Sequence, residues 1–197
     1  MRWRDTQTDS ETDSMSAGRS SADEHRFREL HARTYPDLLR FVERRVPPAD
    51  AEDVVATVFL TAWRRLPDVP AAHDDARPWL YGVARHALAN HLRAGGRRAD
   101  LDVRAAAHLP GDVPDHAEAA GSRVDLARAW SALDARDRET LALVAFDGLT
   151  ADQAARVVGC RRSAFAMRLT RARRRLREAL DAAPAPAPTP AGQEASR

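Results

Sequence analysis

Apolar residues recur at helical spacing in two blocks, about residues 22–93 and 123–180, and predict an all-helical fold. In the first block Phe27, Leu30 and His31, then Leu38, Leu39 and Val42, have the spacing of amphipathic helices, with Pro36 as a start or kink. Asp50 follows Pro47-Pro48-Ala49 and precedes Asp53, the pattern of an N-cap with an acidic first turn. The helix it opens places Val54, Val55, Val58, Ala62 and Leu66 within one arc. Leu60 lies off that arc, near Asp53, Thr57 and Arg64, either as ordinary scatter or as part of a partner surface. A further helix starts near Pro78, whose fixed φ suits the first helical position. Its Leu80, Val83, Ala84, Ala87 and His91 share one face; Arg85, His86, Ala89, Asn90 and Arg93 occupy the other, which is short of acid and suited to a polyanion.

The second block is the more legible. Asp134 caps a helix carrying Leu141, Val144 and Ala145 that ends near Gly148. Thr150-Ala-Asp-Gln153 has the form of a capping box, in which the Thr hydroxyl and the Gln side chain satisfy exposed amides reciprocally. The short helix it opens carries Ala154, Ala155 and Val158 and stops at Gly159; another follows with Phe165, Leu169, Ala172, Leu176 and Leu180 on one stripe. Two helices joined by a short Gly-containing turn form a helix-turn-helix, whose second helix enters the major groove of DNA.

That second helix is rich in arginine. Arg161, Arg162, Ser163 and Ala166, near its start, are expected to reach base edges. Arg168, Arg171 and Arg175 lie at i, i+3 and i+7 on one side, rotated by roughly 90° from the apolar stripe, and are better placed for phosphates. A solvated basic face is the bland alternative for any Arg-rich helix. The capped helix and Gly turn before it favour DNA.

The rest of the composition narrows the field. Few aromatics and nine glycines in 197 residues argue against a β-sandwich or a nucleotide-binding α/β enzyme, and Ala, Leu, Arg and acids suit helices. All 31 strong cations are Arg, the better residue for bidentate contacts to phosphate and guanine, though the net charge is only +2. Cys160 alone excludes an internal disulfide and a Cys-based zinc cluster, and fits a reducing, cytoplasmic setting. Met1–Ser21 lacks the apolar core of a signal peptide, and no apolar run is long enough for membrane insertion.

Residues 1–21 and the Pro/Ala tail 182–197 are expected to be disordered, and 94–122, with Gly95, Gly96, Pro110, Gly111 and Pro114, to be a flexible linker. The expected domains are therefore 22–93 and 123–181. The chain holds no Gly-rich phosphate loop, nucleophile elbow or His-x-x-x-His pair; His73-Asp74-Asp75 reads as a turn and His91 as a half-buried packing residue. No cofactor or catalytic group is expected. Cys160 reads as a small hydrophobe in the turn.

Asp50-Ala-Glu-Asp-Val-Val-Ala-Thr-Val-Phe-Leu-Thr-Ala-Trp63 resembles the core-polymerase-binding helix of the extracytoplasmic-function group of sigma-70 family sigma factors. Ala76-Arg-Pro-Trp-Leu-Tyr-Gly-Val-Ala-Arg85 is similar to the start of their −10 recognition helix. Gly148 to Cys160, with Arg168-Leu-Thr-Arg-Ala-Arg173, is similar to their −35 helix-turn-helix. The resemblance implies two small helical domains, σ2 and σ4, joined by a linker and without catalytic activity. It further implies docking of σ2 on the β′ clamp helices of core RNA polymerase and of σ4 on the β flap, with promoter DNA and an anti-sigma factor as further partners.

By motif position Asp53, Thr57, Leu60 and Trp63 would contact polymerase. Arg77, Arg85, His86, Asn90 and Arg93 would serve the −10 element, with the loop Pro67–Arg77 at a flipped base. The chain departs from the family pattern in several places. Ala56 and Thr57 replace the usual Gln and Glu, and His86 and Asn90 a usual Asn and Asp. Arg161 replaces a Ser whose cap is worth about 1 kcal/mol, and Ala166 a common Lys.

The linker sets a geometric condition. Fully extended, residues 94–122 reach about 90 Å; as a coil they average nearer about 30 Å. Promoter elements two helical turns apart span roughly 70 Å, so the two domains are expected to be held apart on polymerase and to lie closer together when free. The alternative from another class is a self-contained helix-turn-helix regulator with an N-terminal sensing or dimerising block, which would bind duplex DNA without polymerase.

Overall fold

The computed structural model describes the backbone of residues 7–94 and 117–182, and side chains from residues 21 and 123 onward in those stretches. The elements are α1 (Gln7–Glu43), α2 (Pro48–Arg64), a 3₁₀ turn (Leu66–Asp68), α3 (His73–Ala94), α4 (Ala117–Ser131), α5 (Ala135–Ala145), α6 (Ala151–Val158) and α7 (Arg162–Asp181). No strand occurs among the described residues. The linker between Ala94 and Ala117 and the tail beyond Ala182 lie outside them.

Helix boundaries depart from expectation mainly around proline. α1 starts at Gln7, inside the stretch expected to be disordered, and runs through Pro36. Pro36 is exposed, so water can take the carbonyl it leaves unbonded. The cap of α2 is Pro47 rather than Asp50, with Pro48 as first residue. Asp50 lies in the first turn, and its carboxylate is 3.3 Å from Nε2 of His91 of α3, so the half-buried His91 has a polar partner beside its packing. α3 begins at His73, five residues before Pro78, and the supposed turn His73-Asp74-Asp75 is its acidic first turn.

α1, α2 and α3 form one bundle around Leu38, Phe41, Val55, Val58, Leu80 and Leu88. The spacing of buried Ala51, Val54, Val55, Val58, Phe59 and Ala62 along α2 makes one apolar face, while Leu66 is buried from the 3₁₀ turn. α4 to α7 form the second bundle. Asp134 caps α5 by accepting the amide of Asp137. Leu141 is buried and Val144 half-buried, but Ala145 is exposed. Thr150 and Gln153 make both bonds of the capping box. Gly148 (φ +61°) and Gly159 (φ +69°) close α5 and α6 in the left-handed conformation that a side chain would strain. The amide of Cys160 reaches back to Ala155 O (2.9 Å), completing the turn.

The two bundles are docked: α3 packs on α6, and the apolar core is continuous across the seam. Pro78 explains part of the fit. It has no N–H to give Asp74 O four residues back, and that carbonyl accepts Gln153 Nε2 of α6 at 2.9 Å. Arg156 Nη1 of α6 pairs with Asp75 at 2.7 Å. Beneath this rim, Arg44 and Arg45 from the end of α1 meet Asp147 and Glu139 from the second bundle, all with side chains less than a tenth exposed.

Candidate nucleic-acid and polymerase interfaces

The helix-turn-helix comprises α6, the Gly159 turn and α7. Phe165, Leu169 and Ala172 bury one face of α7 against the bundle, with Leu176 and Leu180 half-buried at its end. Arg161 is the N-cap residue and makes no side-chain cap bond, in keeping with the loss of Ser there. Arg161, Arg162, Ser163 and Ala166 are exposed at the start of α7. Arg171 is also exposed, its Nε donating to Met167 O at 3.3 Å.

Two of the expected phosphate contacts also have neighbours within the fold. Arg175 Nη1 pairs with Asp137 (2.5 Å) and Asp134 (3.3 Å) of α5, and that hydrogen bond to Asp137 raises its pKa further. Arg168 is half-buried. At about 100° per residue Arg168 lies nearer the packed stripe than the outer face, and Arg175 lies about midway between them. Ser163, Met167, Thr170, Arg171 and Arg174 lie on the outer side, all exposed; Met167, Thr170 and Arg174 are not among the expected contacts. The exposed methionine was the available signal, and the emphasis on cations hid it.

On the first bundle, His86, Asn90 and Arg93 form an exposed group along α3. His86 Nδ1 lies 2.8 Å from Gly82 O, and Arg93 donates to Asn90 Oδ1. Arg77 and Arg85 are not with them. Arg77 donates to Asp147 O (2.6 Å) and Asp37 (3.3 Å), and Arg85 approaches Glu139 at 3.9 Å, so the second bundle occupies both. Burial dominates the electrostatics of this seam. It pushes the Asp147 carboxyl above the ordinary carboxylate range and the Arg44 guanidinium below its usual value, against their mutual attraction. It also raises the Tyr81 hydroxyl, which lies near Asp147.

The third group lies between α1 and α2. Leu60 (49% exposed) and Trp63 (42% exposed) project outward beside exposed Asp53 and Thr57. Thr57 Oγ1 donates to Asp53 O at 2.9 Å, which turns its hydroxyl back onto the helix. Phe27, His31 and Tyr35, one turn apart on α1, stack against Phe59 and Trp63 of α2: Phe27 meets Trp63 edge-on at 5.2 Å, and His31 meets Phe59 at 4.4 Å. An open groove of about 560 Å³ results, lined by Phe27, His31, Phe59, Leu60 and Trp63, with Glu24 and Arg28 at its rim. Spacing alone gives Phe27 and His31 a shared helix face; their place in the groove follows from pairing α1 with α2.

A helix-turn-helix bundle with an exposed, acid-poor second helix, docked through α6 on a second helical bundle with its own outward aromatic groove, defines a two-module helix-turn-helix protein. Residues 30–98 match Sigma-70 region 2, and residues 123–176 match Sigma-70, region 4. The chain is 32% identical over 171 residues to the ECF RNA polymerase sigma factor SigC of Mycobacterium tuberculosis, covering 85% of this chain and 92% of that one. It is 31% identical over 150 residues to the RNA polymerase sigma factor CnrH of Cupriavidus metallidurans, covering 70% and 76%. The solved structure of CnrH in complex with the cytosolic domain of CnrY is similar at TM-score 0.57 and 27% identity, covering 84% of this chain and 94% of that chain. The sigma factor RpoE of Bartonella quintana, solved with the anti-sigma factor NepR, shares the fold at TM-score 0.58, with 24% identity over 79% of this chain and 97% of that one. The chain belongs to the sigma-70 family of RNA polymerase sigma factors, in its extracytoplasmic-function group.

Proposed function

We propose that this sigma factor binds core RNA polymerase and directs it to promoters through separate −10 and −35 elements. The observation that carries the reading is the separation of three outward surfaces on one chain: the start of α7, the His86–Arg93 face of α3, and the Leu60–Trp63 groove. The first suits the −35 major groove, the second the −10 element, and the third the β′ clamp helices, with the β flap left to the second module. Arg77 and Arg85 join the −10 surface when the seam between the modules opens, so polymerase binding and opening are coupled. An anti-sigma factor that favours the docked arrangement would hold both arginines covered. The protein works in the cytoplasm, where its polymerase is. No helix among the described residues is long and apolar enough to cross a membrane. A sigma factor performs no chemistry itself; the reaction is the polymerase's.

The test is size-exclusion chromatography of the protein mixed with core RNA polymerase, compared with each alone. Co-migration of wild type and its loss in Leu60→Asp, with helix content unchanged, is the expected result. If folded wild-type protein elutes apart from polymerase, the reading is wrong.

A further inference from the structure

The outer face of α7 is less polar at its centre than its arginines suggest. Met167, a large apolar side chain, is 60% exposed among the described residues. Ala166 and Thr170 beside it are also exposed. The Thr170 hydroxyl donates to Ala166 O at 3.0 Å, so the side chain's polar end is turned back onto the helix and its methyl group is left to face outward. Taking about 100° per residue, Met167 lies opposite the buried stripe of Phe165, Leu169 and Ala172, and Thr170 lies about 130° from it, on the same outer side. Arg162, Arg171 and Arg174, all exposed, flank this patch, and the first turn of α7 contains no acid.

An apolar patch ringed by cations at the start of a recognition helix has a specific complement in duplex DNA. The major groove is lined by hydrogen-bonding groups, and its one apolar projection is the C5-methyl group of thymine. We propose that Met167, with Ala166 and the Thr170 methyl, is a specificity-determining contact that selects thymine in the −35 element by its methyl group, while the flanking arginines hold the phosphates. The inference rests on the function proposed above and deepens it. A methionine suits this contact because its unbranched, polarisable chain adapts to the methyl without a fixed rotamer. Burying one methyl changes binding about fourfold.

The test uses holoenzyme reconstituted from full-length protein and core RNA polymerase. A −35 element is first selected from randomised promoter DNA, and each thymine in it is then replaced by deoxyuridine, which removes only the methyl. Wild-type holoenzyme should select at least one thymine and bind its deoxyuridine form about fourfold more weakly. Met167→Ser should bind both forms alike. Thr170→Ser, which keeps the hydroxyl but lacks the methyl, should reduce the difference in part. A selected element without thymine, full tolerance of deoxyuridine, or a Met167→Ser holoenzyme that keeps the discrimination overturns the proposal. So does failure of Met167→Ser to assemble with polymerase, which would make the patch a protein contact. If wild-type protein forms no holoenzyme, the function itself is wrong and this inference falls with it; a holoenzyme that initiates without reading thymine refutes the inference alone.

Discussion

Replacing Asp147 by Ala removes one carboxylate from the seam and should be among the most damaging single changes in the protein. The Asp147 side chain is fully buried, accepts a bond from Arg44, and lies 3.9 Å from Arg45. Arg45 keeps its bonds to Glu139 (2.8 Å) and Phe41 O (2.6 Å), but Arg44 loses its carboxylate partner while 4% exposed. Deleting one partner of a buried pair costs about 3–5 kcal/mol, because the other charge stays desolvated. That is a factor of about 10² to 10⁴ in the equilibrium it controls, and a urea midpoint lower by about 2 M at a typical slope.

Replacing both partners should behave differently. Burial shifts Asp147 up and Arg44 down, so at each group the cost of desolvation exceeds the attraction of the pair. The Arg44→Leu, Asp147→Leu double variant should therefore recover to within about 1 kcal/mol of wild type. The assays are urea unfolding followed by circular dichroism and small-angle scattering for the radius of gyration. The single variant should lose midpoint or expand with its helices intact, and the double variant should regain both. A single variant within about 0.5 kcal/mol of wild type, or a double variant as damaged as the single one, refutes this account of the seam.

The other predictions are smaller. Gln153→Glu keeps an acceptor for Thr150 N but loses the donor to Asp74 O; it should leave α6 capped and weaken docking by about 1 kcal/mol, read as faster amide exchange in α6, and unchanged exchange would mean that Asp74 O is satisfied otherwise. Arg171→Ala should flatten the salt dependence of promoter binding by about one unit of slope, whereas Arg175→Ala, whose charge is engaged by α5, should leave the slope unaltered; equal slopes for the two variants would contradict the assigned faces. Because the folded-state pKa of Asp147 is raised, this group's contribution to stability is fully present below the ordinary carboxylate range and is lost as pH rises through the raised value. Acidification should therefore raise the stability of wild type relative to Asp147→Asn, which has no proton to gain at this position; a fall relative to that variant on acidification counts against the account.

What was legible in the sequence was local. The capping box at Thr150 and Gln153, the Asp134 cap and the Gly159 stop are each set by residues within one helical turn, and spacing alone identifies them. Leu60 stood out because it broke the apolar arc of its own helix, and it is exposed. The seam was not legible, because Arg44 and Asp147 lie 103 residues apart and nothing near either one names the other. The same holds for Arg77, which carries a motif position but is drawn to Asp147 O from across the fold. Pro78 misled for a physical reason: its fixed φ suits a helix start, yet a helix tolerates it farther in when a side chain such as Gln153 takes the freed carbonyl. Arg168 and Arg175 were grouped with Arg171 by spacing, but the acids of α5 pair with the half-exposed Arg175 guanidinium.

The most direct test of the central claim is transcription from fragmented genomic DNA by core RNA polymerase, with and without this protein, followed by sequencing of RNA 5′ ends. The account predicts new start sites that depend on the protein and share two upstream elements at fixed spacing, with Leu60→Asp abolishing all of them. Start sites identical to those of core polymerase alone, from protein shown to be folded and free of an inhibitor, would contradict it.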